Sequence, residues 1–307
     1  MTDRRAKIGL VLQEGIDHPY NQGPYLGIER AVRDLDVKGR VLTPAPKEGH
    51  APSLSYLARQ KYDLVVANGV RVADALDAVA LKFPDQTFAI IDVDHSALPH
   101  RPRNVQGITF SEEEAGFLAG RVAVLALDLG PGDRVISAVG GEPVTAVQRY
   151  IAGYEAGARA ADPNVTTLRG YTNDFYDPLK GRAVALGQIA QGSRVVFQVA
   201  SACGLGVLEA AKEQGVWGIG VDVDQSRLGP HVLTSALKRM DVAVFDTIER
   251  LVGGTLETGG TSVFSLRNGG VGLGSISPEV PPSVVAEIER VTDELVAGTI
   301  SIPAPIT

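Results

Sequence analysis

The sequence predicts an α/β protein made of two parallel-sheet units. Three observations carry that expectation. Apolar runs of strand length alternate with segments of helical periodicity, which is the pattern of βαβ units. The alternation starts afresh after residue 110, with no Pro/Ser-rich linker between the two sets. The 307 residues correspond to roughly two domains of about 150 residues each. A hydrophobic content of 44% suffices to bury a core in each, which excludes a disordered or fibrous chain.

The elements follow in order. Residues 7–13 (KIGLVLQ) form an apolar run before Gly15, as a buried parallel strand does. The loop 15–24 (GIDHPYNQGP) leads into a helix at 25–35, a strand at 37–43, and a helix at 54–60. A strand at 62–68, a helix at 72–83 and a strand at 87–94 complete the first set. The second set opens with a helix at 112–127, a strand at 133–141 and a helix at 145–161. It continues with strands at 165–172, 194–200 and 216–224, separated by helices at 180–191 and 204–214.

Charge and motifs exclude several functions. The 29 basic residues against 36 acidic ones leave a net charge of −7, the wrong sign for a nucleic-acid partner. No run of about 18 apolar residues is present to span a bilayer. The single Cys203 excludes an intramolecular disulfide and a cysteine-built zinc site, and it reads as a small residue in a tight strand-to-helix turn. His18, His50, His95, His100 and His231 show no metal-ligand spacing, so neither a metal nor a cofactor is expected. There is no P-loop. Gly204 and Gly206 open a helix after a strand, but Glu209 stands where a dinucleotide fingerprint needs glycine; close helix–strand packing explains the pair better.

One internal echo stands out. TFAIIDVDH (87–95) and VWGIGVDVDQ (216–225) each place Asp-x-Asp at the carboxyl end of an apolar strand. Ligands of doubly wound sheets bind at those ends. Asp92 and Asp222 are therefore candidates to face one cleft, the alternative being aspartates that cap the following turn.

Several segments resemble the basic membrane protein (PnrA-like) family of ABC-transporter substrate-binding proteins. Asp17-His18-Pro19-Tyr20-Asn21-Gln22 is similar to the family's D-K-S-F-N-Q loop. FAIID (88–92), NVQGITFSEEEAGFLAG (104–120), GYEAGARAADP (153–163) and FYDPLKGRAVA (175–185) follow in the family's order. ASACGLGVLEAAKE (200–213), GVDVDQ (220–225) and LTSALK (233–238) complete the series.

The resemblance implies a type I periplasmic-binding-protein fold. Two Rossmann-like lobes with parallel sheets, joined by a hinge, would close on a purine nucleoside such as adenosine, guanosine or inosine. The implied lobes are residues 1–108 with 239–265, and 109–238 with 266–307. Asp17 and Asn21 would bond the base, Tyr25 and Phe175 would stack on it, and Asp92 would face its edge. Asp222 and Lys238 would hold the ribose hydroxyls, and the turn at Gly204 and Gly206 would let backbone approach. Stacking adds about 0.5–1.5 kcal/mol beyond burial, and carboxylates suit sugar hydroxyls. The sequence departs from the family at Pro19 and Tyr20, which replace Ser-Phe, stiffen the loop and place a hydroxyl on the ring, and at Ser201 and Cys203.

The implied role is uptake through an ABC permease by a monomeric receptor without catalytic activity. A ligand-sensing regulatory module of the same fold is the alternative, and a nucleoside hydrolase a remote third. The start, Met-Thr-Asp-Arg-Arg-Ala-Lys, has neither a signal-peptide core nor a lipobox cysteine. The expected location is extracytoplasmic, as a lipoprotein or periplasmic protein whose export segment is not in this sequence, or cytoplasmic if Met1 is the native start.

Overall fold

The structure is a computed structural model that describes residues 5–13, 15–44 and 49–302. In chain order its regular elements begin with β1 (Lys7–Val11), α1 (Gln22–Asp34), β2 (Lys38–Leu42), α2 (Ala51–Arg59), β3 (Leu64–Asn68), α3 (Ala73–Lys82), β4 (Phe88–Ile91) and β5 (Val105–Phe110). Next come α4 (Glu112–Leu127), β6 (Val135–Gly140), α5 (Thr145–Ala161), β7 (Thr166–Tyr171), α6 (Pro178–Ile189), β8 (Val195–Val199), α7 (Ala202–Gln214) and β9 (Trp217–Asp222). The chain then forms β10 (Val232–Lys238), α8 (Met240–Val252), β11 (Thr261–Phe264), β12 (Val271–Leu273) and α9 (Pro282–Ala297).

The chain divides into two units. Unit 1 comprises Met1–Phe110 and Arg239–Phe264, and unit 2 comprises Ser111–Lys238 and Ser265–Thr307. Each has its own six-stranded sheet: β2-β1-β3-β4-β5-β11 in unit 1 and β7-β6-β8-β9-β10-β12 in unit 2. Unit 1 is parallel throughout, whereas β12 runs antiparallel to β10. This is the two-unit parallel α/β fold expected from the periodicity. β3, β4 and β8 are buried along their whole length, which is why they read as unbroken apolar runs rather than alternating ones.

Some boundaries differ from expectation for a local reason. The strand expected to reach residue 94 stops at Ile91, because Asp92 turns left-handed at φ 64°. β9 ends on Asp222, which does the same at φ 65°. α7 starts at Ala202, so Gly204 and Gly206 lie inside the helix rather than opening it. α6 starts at Pro178, where the Asp177 side chain accepts a bond from Leu179 N at 2.9 Å.

The order of strands places a switch point in each unit. In unit 1 the chain reverses its direction of build between β1 and β3, and in unit 2 between β6 and β8. The loops after those four strands therefore open a crevice at each sheet's carboxyl edge, where doubly wound folds take their ligands.

Candidate functional site

In unit 1 the loop after β1 is built around buried amides. Asn21 is fully buried; its Nδ2 donates to Gly15 O at 2.8 Å and its Oδ1 accepts from Asn68 Nδ2 at 2.7 Å. Asn68 is the last residue of β3, so this chain of bonds crosses the switch point from β3 to the loop. The turn is tightened by His18 N donating to Gly15 O and Asn21 N to His18 O, at 3.0 and 2.9 Å. Asp17 stands exposed at the loop's tip, and Tyr25 is half-buried on the first turn of α1.

Asp92 lies at the end of β4. Its N donates to Ile108 O at 2.8 Å, and its left-handed backbone turns the side chain away from the strand's course. The Tyr20 hydroxyl donates to Asp92 Oδ2 at 2.7 Å, tying the loop after β1 to the end of β4. Two residues on, Asp94 caps the short 3-10 helix His95–Ala97 through Ser96 N at 2.8 Å.

Unit 2 repeats this design. Asp222 is half-buried and left-handed at the end of β9, and two residues on Asp224 accepts from Ser226 N at 2.9 Å at the start of the 3-10 helix Ser226–Leu228. Asp224 also takes Ser275 N and Ser275 Oγ at 3.0 and 2.7 Å. Burial alone raises its pKa, but the bonds from Ser275 and Ser226 outweigh it and hold the carboxyl at about 2. The Asp-x-Asp echo thus splits into two roles. The second aspartate of each pair caps a turn, and the first is the one placed at the sheet's carboxyl edge.

A buried amide brace stands behind Asp222. Gln225 Oε1 accepts from Gln198 Nε2 at 2.7 Å and from Val221 N at 3.0 Å, while Gln225 N donates to Ser235 Oγ at 3.0 Å. Gln198 Oε1 in turn accepts from Ala200 N at 3.1 Å, next to the left-handed Ser201. The brace joins β8, β9 and β10 just below the turns that carry Ser201 and Asp222. Sequence reasoning missed Asn68, Gln198 and Gln225. A polar side chain inside an otherwise apolar strand, as in LVVAN and VVFQV, was the available signal.

Phe175 sits at the switch point of unit 2. A Cβ at Gly141, just past β6, would collide with its ring, and its carbonyl accepts from Ala202 N at 3.1 Å as α7 begins. Lys238, at the end of β10, is 3% exposed, and its Nζ lies 3.1 Å from Glu112 Oε1 in the first turn of α4. Glu112 also lies 3.5 Å from Arg149 Nε, so this buried carboxylate is balanced by two cations.

Three residues singled out by the resemblance also have structural partners here. A Cβ at Gly204 would strike Gln198 Oε1, so the glycine makes room for the brace. Gly206 faces Pro178 O, where a Cβ would collide with α6, so it serves helix packing. Asn21 has both ends of its amide engaged within unit 1, where it shapes the Asp17 loop. Cys203 is buried, its Sγ 3.4 Å from Asp174 O, and burial pushes its thiol pKa up, which is the reverse of nucleophile activation. Among the described residues no group of His, Cys, Asp and Glu is arranged to hold a metal.

Comparison with known proteins places this geometry. Residues 6–305 match the family described as ABC transporter substrate-binding protein, PnrA-like. An uncharacterised lipoprotein of Pyrococcus horikoshii is 37% identical over 83% of this chain and 65% of its own length. Basic membrane protein A2 of Borrelia garinii is 30% identical over 94% of this chain and 85% of its own. A solute-binding protein of an ABC transporter system from Aeropyrum pernix superposes with a TM-score of 0.83 at 25% identity, covering 97% of this chain and 94% of the other.

Proposed function

The chain belongs to the PnrA-like family of ABC transporter substrate-binding proteins, and on that premise we propose that the solute it captures is a purine nucleoside. Proteins of this family are receptors, not enzymes, and they hand a small solute to an ABC permease. The fold is that of periplasmic binding proteins.

The observation that carries the ligand reading is the pair of left-handed aspartates, Asp92 and Asp222, at the carboxyl ends of β4 and β9. Carboxylates at those ends accept from N–H and O–H groups, which a purine edge and vicinal ribose hydroxyls supply. Phe175 at the switch point of unit 2 and Tyr25 on α1 are the aromatic surfaces offered to a flat base. Asp17 is the exposed carboxylate of the loop after β1 and takes a base donor. Lys238, which pairs with Glu112, holds the ribose hydroxyls with Asp222. Monomeric binding fits a single ligand per chain. The lipoprotein name of the Pyrococcus relative supports an extracytoplasmic, lipid-anchored location.

A thermal-shift screen of nucleosides and free bases tests the reading. A ligand that binds only the folded chain stabilises it by about 2.7 kcal/mol at a hundredfold excess over Kd. Asp222→Ala lowers the affinity of that ligand by about 1.5–3 kcal/mol through loss of a bond to a charged group. No shift with any purine removes the nucleoside reading, and full affinity in Asp222→Ala removes Asp222 from the site.

A further inference from the structure

We propose that the amino end of unit 1 is a docking surface for an anionic phospholipid membrane, made of Lys7, Lys38, Arg40, Arg59 and Lys61 beside the rings of Tyr56 and Tyr62. The proposal rests on the lipid-anchored location read above and deepens it. An anchor holds a chain near the bilayer, and this surface sets which end of unit 1 faces the lipid.

The fold assembles this patch from three separate segments of chain. β1 and β2 run side by side, with Lys7 opposite Lys38 and Gly9 opposite Arg40. Side chains two residues apart share one face of a strand, so Lys7, Lys38 and Arg40 project to the same side. That side is the one α2 covers, because a Cβ at Gly9 would strike Leu57. The end of α2 and the turn after it complete the patch. Lys7 Nζ donates to Gln60 O at 2.5 Å and lies 4.7 Å from the centre of the Tyr62 ring. Arg59 and Lys61 flank Gln60 and are exposed. Arg40 lies 5.2 Å from the centre of the Tyr56 ring, and its Nη1 donates to the Tyr56 hydroxyl at 3.1 Å.

Charge, exposure and position point to the occupant. The acids beside the patch are Asp36, 3.0 Å from Arg5, and Asp63, whose Oδ2 accepts from Lys7 N at 2.7 Å. Bases therefore outnumber acids here, in a chain whose net charge is −7. β2 is the outer strand of its sheet and its first three residues are exposed, so Lys38 and Arg40 stand on an open edge. Anionic headgroups attract such cations, and tyrosine, an apolar ring with a polar tip, suits the headgroup layer. The chain ahead of β1 leaves the sheet at this same end, and the Pyrococcus horikoshii relative is named a lipoprotein. A lipid attached ahead of β1 brings this end to the bilayer. The carboxyl end of the same sheet, with Asp17 and Asp92, then faces away from the lipid and stays open to solute.

Co-sedimentation of the whole chain with vesicles tests this, comparing phosphatidylglycerol mixed with phosphatidylcholine against phosphatidylcholine alone. At low ionic strength the chain is expected to bind the anionic vesicles and not the neutral ones, and to be released in about 0.5 M salt, where exposed charges are screened. Lys38→Glu/Arg40→Glu is expected to weaken binding at least about tenfold with an unchanged thermal midpoint, since both side chains are exposed. Lys38→Gln/Arg59→Gln, which spares the Arg40–Tyr56 contact, is expected to weaken it in the same direction. Reversing Lys212 and Arg227, exposed bases of unit 2, makes the same change in net charge and is expected to leave binding within about twofold. No binding to anionic vesicles overturns the docking surface and leaves the lipid-anchored location standing. Equal losses in the two double reversals also overturn it, because only net charge is then sensed, as does tighter binding to duplex DNA than to vesicles. Fractionation of cells that make the native protein checks the location separately. Recovery with the membranes supports the premise, and recovery with soluble proteins refutes it and the proposal together.

Discussion

Ser201 holds φ 51° and ψ −121° between β8 and α7, a backbone region that glycine enters freely and other residues enter under strain. The family's A-G-x-x-G pattern has glycine at this position, so the strain belongs to this chain's own substitution. Such strain costs about 1–3 kcal/mol, and the extra freedom of an unfolded glycine offsets about 0.5–1 kcal/mol of what is regained. Ser201→Gly is therefore expected to stabilise the protein by about 1 kcal/mol, read as a higher urea midpoint with an unchanged m-value. A lower midpoint would mean that the serine side chain contributes more than its backbone loses. At this scale the sequence showed which aspartates end strands but not how each one works. Asp92 and Asp94 look alike as letters, as do Asp222 and Asp224, and only the left-handed turn separates the strand-ending aspartate from the one that caps the next turn. Asn21 shows the complementary limit: its type suits ligand bonding, and its place in a buried amide pair depends on Asn68, which is 47 residues away.

Helix pairs account for much of what the motifs meant. Gly116 and Gly120 on α4 face backbone of α5 at Tyr150 and Tyr154, and Gly153 and Gly157 on α5 face Glu113 and Phe117 on α4. Glycines four apart lie on one helix face, so two such stripes let the backbones nearly touch. Gly181 and Gly206 do the same for α6 and α7. Segments that carried the family resemblance, FLAG, GYEAG and the glycines of CGLG, are thus largely packing devices. Within those blocks Gly204 and Gly206 have a packing reason of their own, beside the Gln198 side chain and the α6 backbone. Gly157→Ala would drive a methyl into the Phe117 carbonyl, and because both groups belong to helix backbones neither can turn aside. The expected loss is about 2–4 kcal/mol, in the range of overpacked or strained sites. Urea unfolding checks it; a loss under about 0.5 kcal/mol would show that α4 and α5 can part without consequence.

Unit 1 is not a contiguous stretch of chain, and that fixes what its pieces can do alone. Its sheet ends on β11, whose Phe264 pairs with Phe110 of β5 with ring centroids 5.7 Å apart. Its α1 is covered by α8, against which Gly23 and Gly27 lie so close that a Cβ would press on Met240 and Val244. Both partners arrive from Arg239–Phe264, far downstream of the rest of the unit. Hydrophobic periodicity is a local signal. It gave the strands and helices up to residue 224 and carried no sign of this return, which only the family resemblance suggested. Residues 1–110 alone leave the edge of β5 unpaired and the apolar face of α1 bare, two conditions that favour aggregation over folding. They are expected to give no cooperative thermal or urea transition. Joining 1–110 to 239–264 through a short Gly/Ser linker restores the missing strand and helix, and the fusion is expected to unfold cooperatively with far-ultraviolet dichroism typical of α/β proteins. Equal cooperativity and equal midpoints for the two polypeptides would refute the dependence, because the returning segment would then be an ornament on a unit already complete.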